Sequence, residues 1–131
     1  MNWVFFDVAG VRAIHADLIE VYGGSHGIRD EGLLESAVYR AEQKVHYEPE
    51  ATVASVAASL SFGLIKNHAF IDGNKRIGLA VLVDFLYLNG HELAAPVSEA
   101  EEMVRRAAAS ELTEAEWTAW VGRIAAPISG D

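Results

Sequence analysis

Between two of the most apolar stretches of the chain lies KNHAFIDGNKRIGLA, residues 66–80. From His68 to Arg76, nine residues hold a histidine, a carboxylate (Asp72), a glycine (Gly73) and two adjacent cations (Lys75, Arg76). Of these side chains only His68 can take up a proton near neutral pH. If a helix begins at the glycine, its first turn carries about half a positive charge from unpaired N–H groups. Two cations placed there oppose the helix dipole, at a cost of about 0.3–1 kcal/mol each. A bound anion would offset that cost. Two side-chain cations, free N–H groups and a glycine that lets main chain come close form a site suited to phosphate. A carboxylate beside phosphates is in turn what Mg²⁺ requires, because Mg²⁺ binds through one or two carboxylates plus phosphate oxygens. Phe70 is expected to anchor the loop by burying its ring. A lone histidine or an exposed DGNKR turn would be unremarkable; the combination in one short loop between apolar segments makes the chemistry worth testing.

The elements that must position this loop are legible as helices. Val8, Val11, Ile14, Leu18 and Tyr22 recur at three- and four-residue intervals after a capping Asp7, and Gly23-Gly24 ends the pattern. Asp30 caps a second helix with Leu33, Leu34, Ala37 and Val38, and the GGSHGIRD segment between the two is expected to be a structural loop. A third helix, rich in small residues, runs through ATVASVAASLSFGLIK. The segment IGLAVLVDFLYLNG is apolar nearly all round, with Asp84 its only charge, so a buried helix ending at Asn89-Gly90 is expected. With about twelve apolar positions it falls short of the ~20 needed to span a membrane. Capping boxes at Ser98/Glu101 and Thr113/Glu116 predict two further helices, and Trp117 and Trp120 are assigned to the core. The fold class is therefore all-α, a compact bundle of about six helices, with NWVFF forming a minor N-terminal strand or an extended arm.

Composition narrows the function. The 131 residues suit a single domain, with a core over 1–124 and a flexible tail over 125–131. Ten Lys and Arg against 19 Asp and Glu give a formal charge of −9, the wrong sign for binding nucleic acid through its phosphates. The absence of Cys removes disulfides, thiolate chemistry and Cys-based zinc sites. His15, His26, His46 and His91 lack the spacing of metal ligands. The start MNWVFFDVAG has no signal-peptide character, so a cytoplasmic protein without membrane contact is expected.

The motif HAFIDGNKR resembles that of the Fic/Doc family, His-x-Phe-x-(Asp/Glu)-(Gly/Ala)-Asn-(Gly/Lys)-Arg. IHADLIEVYGG, GIRDEGLLESAV and FLYLNGHEL resemble its small death-on-curing (Doc) branch, so the similarity covers roughly residues 1–122. The resemblance implies a Fic/Doc fold, ATP with Mg²⁺, and modification of a hydroxyl on a target protein. It assigns His68 as catalytic base, Asp72 as the Mg²⁺ ligand, and Gly73, Asn74, Lys75 and Arg76 as the phosphate cradle. Adenylylating members resemble a pattern with a second Gly where this chain has Lys75 and a final Arg where it has Leu79. Both changes touch nucleotide phosphates and are those of the Doc branch, in which the γ-phosphate is offered to the target. The resemblance thus implies a protein kinase acting on a threonine of elongation factor Tu, with nucleotidyl transfer or a catalytically silent binding protein as alternatives. It also implies the toxin half of a type II toxin–antitoxin pair. Fic proteins can carry an inhibitory helix resembling (Ser/Thr)-x-x-x-Glu-(Gly/Asn). Ser98 to Glu102 has the spacing but is followed by Met103. Inhibition is therefore expected in trans, from an antitoxin segment laid into a groove as an amphipathic helix.

Overall fold

The structure, a computed structural model, describes residues 2–128. Six helices, α1 (Val8–Tyr22), α2 (Glu31–Tyr47), α3 (Val53–Asn67), α4 (Asn74–Leu88), α5 (Val97–Ala108) and α6 (Glu114–Ile124), account for most of these residues. Two short strands, β1 (His91–Leu93) and β2 (Ala125–Pro127), pair antiparallel. Local chemistry explains most helix starts. Asp7 accepts from the Gly10 N–H, Asp30 from Leu33 and Thr113 from Glu116, and Thr113 with Glu116 closes the expected capping box. A further box, Thr52 with Ser55, opens α3.

The centre of the bundle is α3, which packs against α2, α4, α5 and α6. Its Ala57, Ala58, Ser59, Ser61 and Gly63 are all buried, and such small side chains let neighbouring helices approach from several directions. At the α4 contact, a Cβ on Gly78 would stand 2.4 Å from Ile65 Cγ1, so only glycine permits this approach. From α6, buried Trp117 donates its indole N–H to Ser61 Oγ at 3.1 Å, and Ser61 donates on to the Ala57 carbonyl at 2.8 Å. The polar end of the ring is thereby satisfied inside the core.

Three expectations are corrected, and one choice is decided. The helix α4 is not buried on every side: Val83, Tyr87 and Leu88 are exposed, because α1, α3 and α5 leave one of its faces uncovered. No box forms at Ser98, because Pro96, with φ −59°, launches α5 at Val97 and puts Ser98 inside the first turn. Of the two forms expected for the N-terminal stretch, strand or extended arm, it takes the arm. Trp3 and Phe5 stack together and lie against Phe85, while the Asn89 side chain takes both the N–H and the C=O of Val4, at 2.9 and 3.0 Å. A side chain thus replaces the neighbouring strand. The tail expected from residue 125 instead begins with β2, whose Ala125 faces Leu93 in the ladder, and Ile128 N–H donates to the Gly90 carbonyl. The remainder of that expectation, residues 129–131, lies outside the described residues. No helix among the described residues is long and apolar enough to cross a membrane.

Candidate active site

The motif loop joins the end of α3 to the start of α4. His68 is the C-cap of α3, in the left-handed region at φ 49° and ψ 47°. Its main chain is held from the GGSHGIRD loop: Arg29 donates from Nε to the His68 carbonyl at 2.7 Å and from its terminal nitrogen to the Asn67 carbonyl at 3.1 Å. The Arg29 and Asp30 N–H groups both reach the Ala69 carbonyl, and Ile28 forms an isolated antiparallel bridge with Phe70. A cation at the C-terminus of α3 also suits that helix's dipole. With its backbone fixed in this way, the His68 imidazole is exposed and, among the described residues, makes no hydrogen bond. Phe70 is buried, as anchoring of the loop requires.

Gly73, at φ 76°, is the residue before α4, in a conformation that glycine adopts without strain. No side chain caps the helix, and its first main-chain bond runs from the Ile77 N–H to the Gly73 carbonyl. Among the described residues the N–H groups of Asn74, Lys75 and Arg76 therefore point out unpaired, the condition for an anion site. The Lys75 side chain is exposed and free of hydrogen bonds among the described residues. Arg76 donates to the Gly23 carbonyl at 2.8 Å, and its guanidinium lies 6.0 Å from the centroid of the Tyr22 ring. Asn74, expected in the phosphate cradle, lines it through its main-chain N–H while its side chain is turned to the loop. Its amide is committed to Phe70, accepting from the N–H at 3.1 Å and donating to the C=O at 3.0 Å, so it clamps the loop.

Asp72 accepts from the Gly73 N–H at 2.8 Å through one oxygen and from the Ser25 N–H at 3.1 Å through the other. A Cβ on Gly24, at φ +115°, would fall 2.6 Å from that second oxygen. The Ser25 N–H, followed by the Gly73 N–H, holds the Asp72 carboxyl below its ordinary value against the opposing effect of burial, with lesser help from Arg76 and His15. Asp72 is thus a carboxylate at neutral pH. A carboxylate offers about four lone-pair positions, and two remain for a cation. Among the described residues no group of three or more acidic or histidine side chains gathers at one point. A metal held here would take its other ligands from phosphate and water, as Mg²⁺ does.

The sign of the Asp72 shift yields a prediction. Because the folded-state pKa is depressed, the stabilisation from these bonds is complete above the unfolded carboxylate value of about 3.9 and is lost as pH falls through the folded-state value. The gap in thermal midpoint between wild type and Asp72→Asn is expected to close as pH falls below about 4. A gap that stays constant over that range would show that the bonds do not depend on the charge.

The sequence-matching pattern described as the Fic/DOC family covers residues 5–86, and the loop just described lies inside it. The chain belongs to the Fic/DOC family. It is 40% identical over 98 residues to a protein named Toxin Doc from Mycolicibacterium smegmatis, covering 66% of this chain and 69% of that one. It is 35% identical over 78 residues to a protein named Protein kinase doc from Escherichia phage P1, covering 60% of this chain and 62% of that one. The Fic/DOC motif of this chain therefore rests on a frame that the motif itself does not contain: Ser25 and Arg29 from the α1–α2 loop, and His15 from α1. The last of these has no ligand spacing in the sequence. Its available signal was a four-residue ladder, Val11–His15–Ile19, which is the buried stripe of α1.

Proposed function

We propose that this chain is a Doc-type toxin that transfers the γ-phosphate of ATP to a threonine hydroxyl of a cytoplasmic target protein such as elongation factor Tu. The observation that carries the proposal is the uncapped start of α4, where free N–H groups, Lys75 and a charged Asp72 stand one loop away from an exposed His68. His68 accepts the proton of the threonine hydroxyl as its oxygen attacks the γ-phosphorus. The bond between that phosphorus and the bridging oxygen breaks, and ADP leaves. Asp72 is the side chain that would hold Mg²⁺, which when bound offsets charge on the phosphate oxygens. Lys75 and the α4 N–H groups stabilise the charge spread over the transferred group, usually the larger contribution in phosphoryl transfer. Arg76 supports them from its place against Gly23. Lys75 bears on the orientation of the nucleotide, since its side chain occupies space that a glycine would leave open to the α- and β-phosphates.

The test is intact-protein mass spectrometry of elongation factor Tu after incubation with the purified chain and Mg-ATP, with His68→Ala as control. A phosphate-sized increment absent from the control is expected. A nucleotide-sized increment would replace the kinase by an adenylyltransferase, and the absence of any increment across a bacterial lysate would favour a silent binding protein.

The uncovered face of α4 suggests where a cognate antitoxin acts in trans. Two clefts of about 330 and 440 Å³ share Leu79 and Val97 and run from Tyr87 to Tyr22 and Arg76. Their walls are mainly apolar, with Glu92 and Glu101 at the edge, which suits an amphipathic helix flanked by basic residues. Tyr87→Glu is expected to leave growth arrest intact and abolish its relief by the co-expressed antitoxin; relief at the wild-type level would move the antitoxin elsewhere.

A further inference from the structure

A histidine in the buried stripe of a helix must find a hydrogen-bond partner, since buried polar groups are almost always paired. His15 is 3% exposed and lies one helical turn from Val11 and from Ile19. Its partner is not on α1 or its neighbours in sequence: Nε2 stands 2.7 Å from the main-chain oxygen of Asp72. A carbonyl can only accept, so Nε2 carries the proton and the tautomer is set by this contact. The same ring lies face to face with Phe70, centroids 3.8 Å apart and planes 10° from parallel. A Cβ on Gly73 would sit 3.5 Å from its Nε2. One side chain thus touches residues 70 and 72 of the motif and fills the space beside Gly73.

Taking as given the proposed role of Asp72 in holding Mg²⁺, we infer that His15 is a positioning residue for that carboxylate and for the Gly73 turn. The peptide between Asp72 and Gly73 has its oxygen fixed by His15 and its N–H fixed by the Asp72 carboxylate. Its orientation decides where the carboxylate points and whether the first N–H groups of α4 face outward. Without the His15 donor the Asp72 carbonyl is free to rotate, and the bonds from Ser25 and Gly73 to the carboxylate loosen with it. An aromatic side chain serving the core alone would be replaceable by phenylalanine, which keeps the flat stack on Phe70 and lacks only the donor.

That difference defines the experiment, on the full chain. Amide hydrogen exchange at Ser25 and Gly73 is measured by NMR in wild type, in His15→Phe and in His15→Gln, whose amide N–H reaches close to the position of Nε2. In His15→Phe the two amides are expected to exchange at least about tenfold faster while core amides such as Leu82 are unchanged, with His15→Gln recovering most of the protection. The Mg²⁺ concentration needed for half-saturation of ATP binding is expected to rise about 10- to 100-fold in the same variant, the usual range for lost support of a metal ligand. Unchanged exchange at Ser25 and Gly73 in His15→Phe overturns the inference. If that variant does not fold, His15→Leu takes its place with the same criterion. ATP binding by the wild type that ignores Mg²⁺ would instead remove the metal role of Asp72, while amide exchange still decides the role of His15.

Discussion

Replacing His68 by alanine is expected to lower the rate of phosphate transfer by about 10²–10⁴-fold, the range for loss of a general base. The fold should survive, because the imidazole is exposed and makes no hydrogen bond among the described residues. What shapes this corner of the molecule is main chain, held by Arg29 at the Asn67 and His68 carbonyls and by the Arg29 and Asp30 N–H groups at Ala69. Alanine in a left-handed conformation is strained, as histidine already is, so the substitution adds little of its own. Single-turnover transfer from labelled ATP, with the thermal midpoint recorded alongside, separates chemistry from folding. A variant transferring at the wild-type rate would show that another group takes the proton, and the proposed mechanism would fall with it.

The second large effect is on stability. Trp117→Ala is expected to cost about 3–5 kcal/mol, as for other fully buried aromatic residues. With a domain stability of about 5–15 kcal/mol, that is enough to unfold a substantial fraction of the protein at growth temperature. The ring is 0% exposed, lies 5.2 Å from Trp120 between centroids, and meets α3 through Ser61. Ser61 keeps its own bond to Ala57 when the indole is removed, so the loss is chiefly one of packing and cavity formation and not of a stranded polar group. Urea unfolding of Trp117→Ala beside Trp117→Phe measures it; a loss under about 1 kcal/mol would mean that α6 repacks freely on α3. Because α3 also carries His68 at its C-terminus, activity in Trp117→Ala should fall in step with the folded fraction and not through the site itself.

The parts of this protein that could be read in advance are those whose partners lie within one helical turn. Asp7, Asp30 and Thr113 cap helices by bonds to residues three positions on. The motif from His68 to Arg76 is likewise local, so its order already placed a histidine, a carboxylate and two cations around the start of a helix. Open choices and misreadings fall where a distant contact decides. The N-terminal arm has β-prone residues, but Asn89, 85 positions away from Val4, takes the bonds a strand would need. The apolar run of α4 signals burial, yet which face stays open depends on how α1, α3 and α5 are placed around it, and periodicity carries no mark of that.

The same division runs through the site. Chain order alone put Asp72, Gly73 and the two cations at the start of a helix, because helix geometry over consecutive residues leaves few alternatives. Only the tertiary structure could bring His15 to an oxygen 57 positions away, Arg29 to one 39 away, and the Ser25 N–H to the Asp72 carboxylate. Such bonds join a side chain to a main-chain group, or a main-chain N–H to a distant carboxylate. Every residue has a main-chain N–H and C=O, so half of each pair has no side-chain identity for the sequence to reveal.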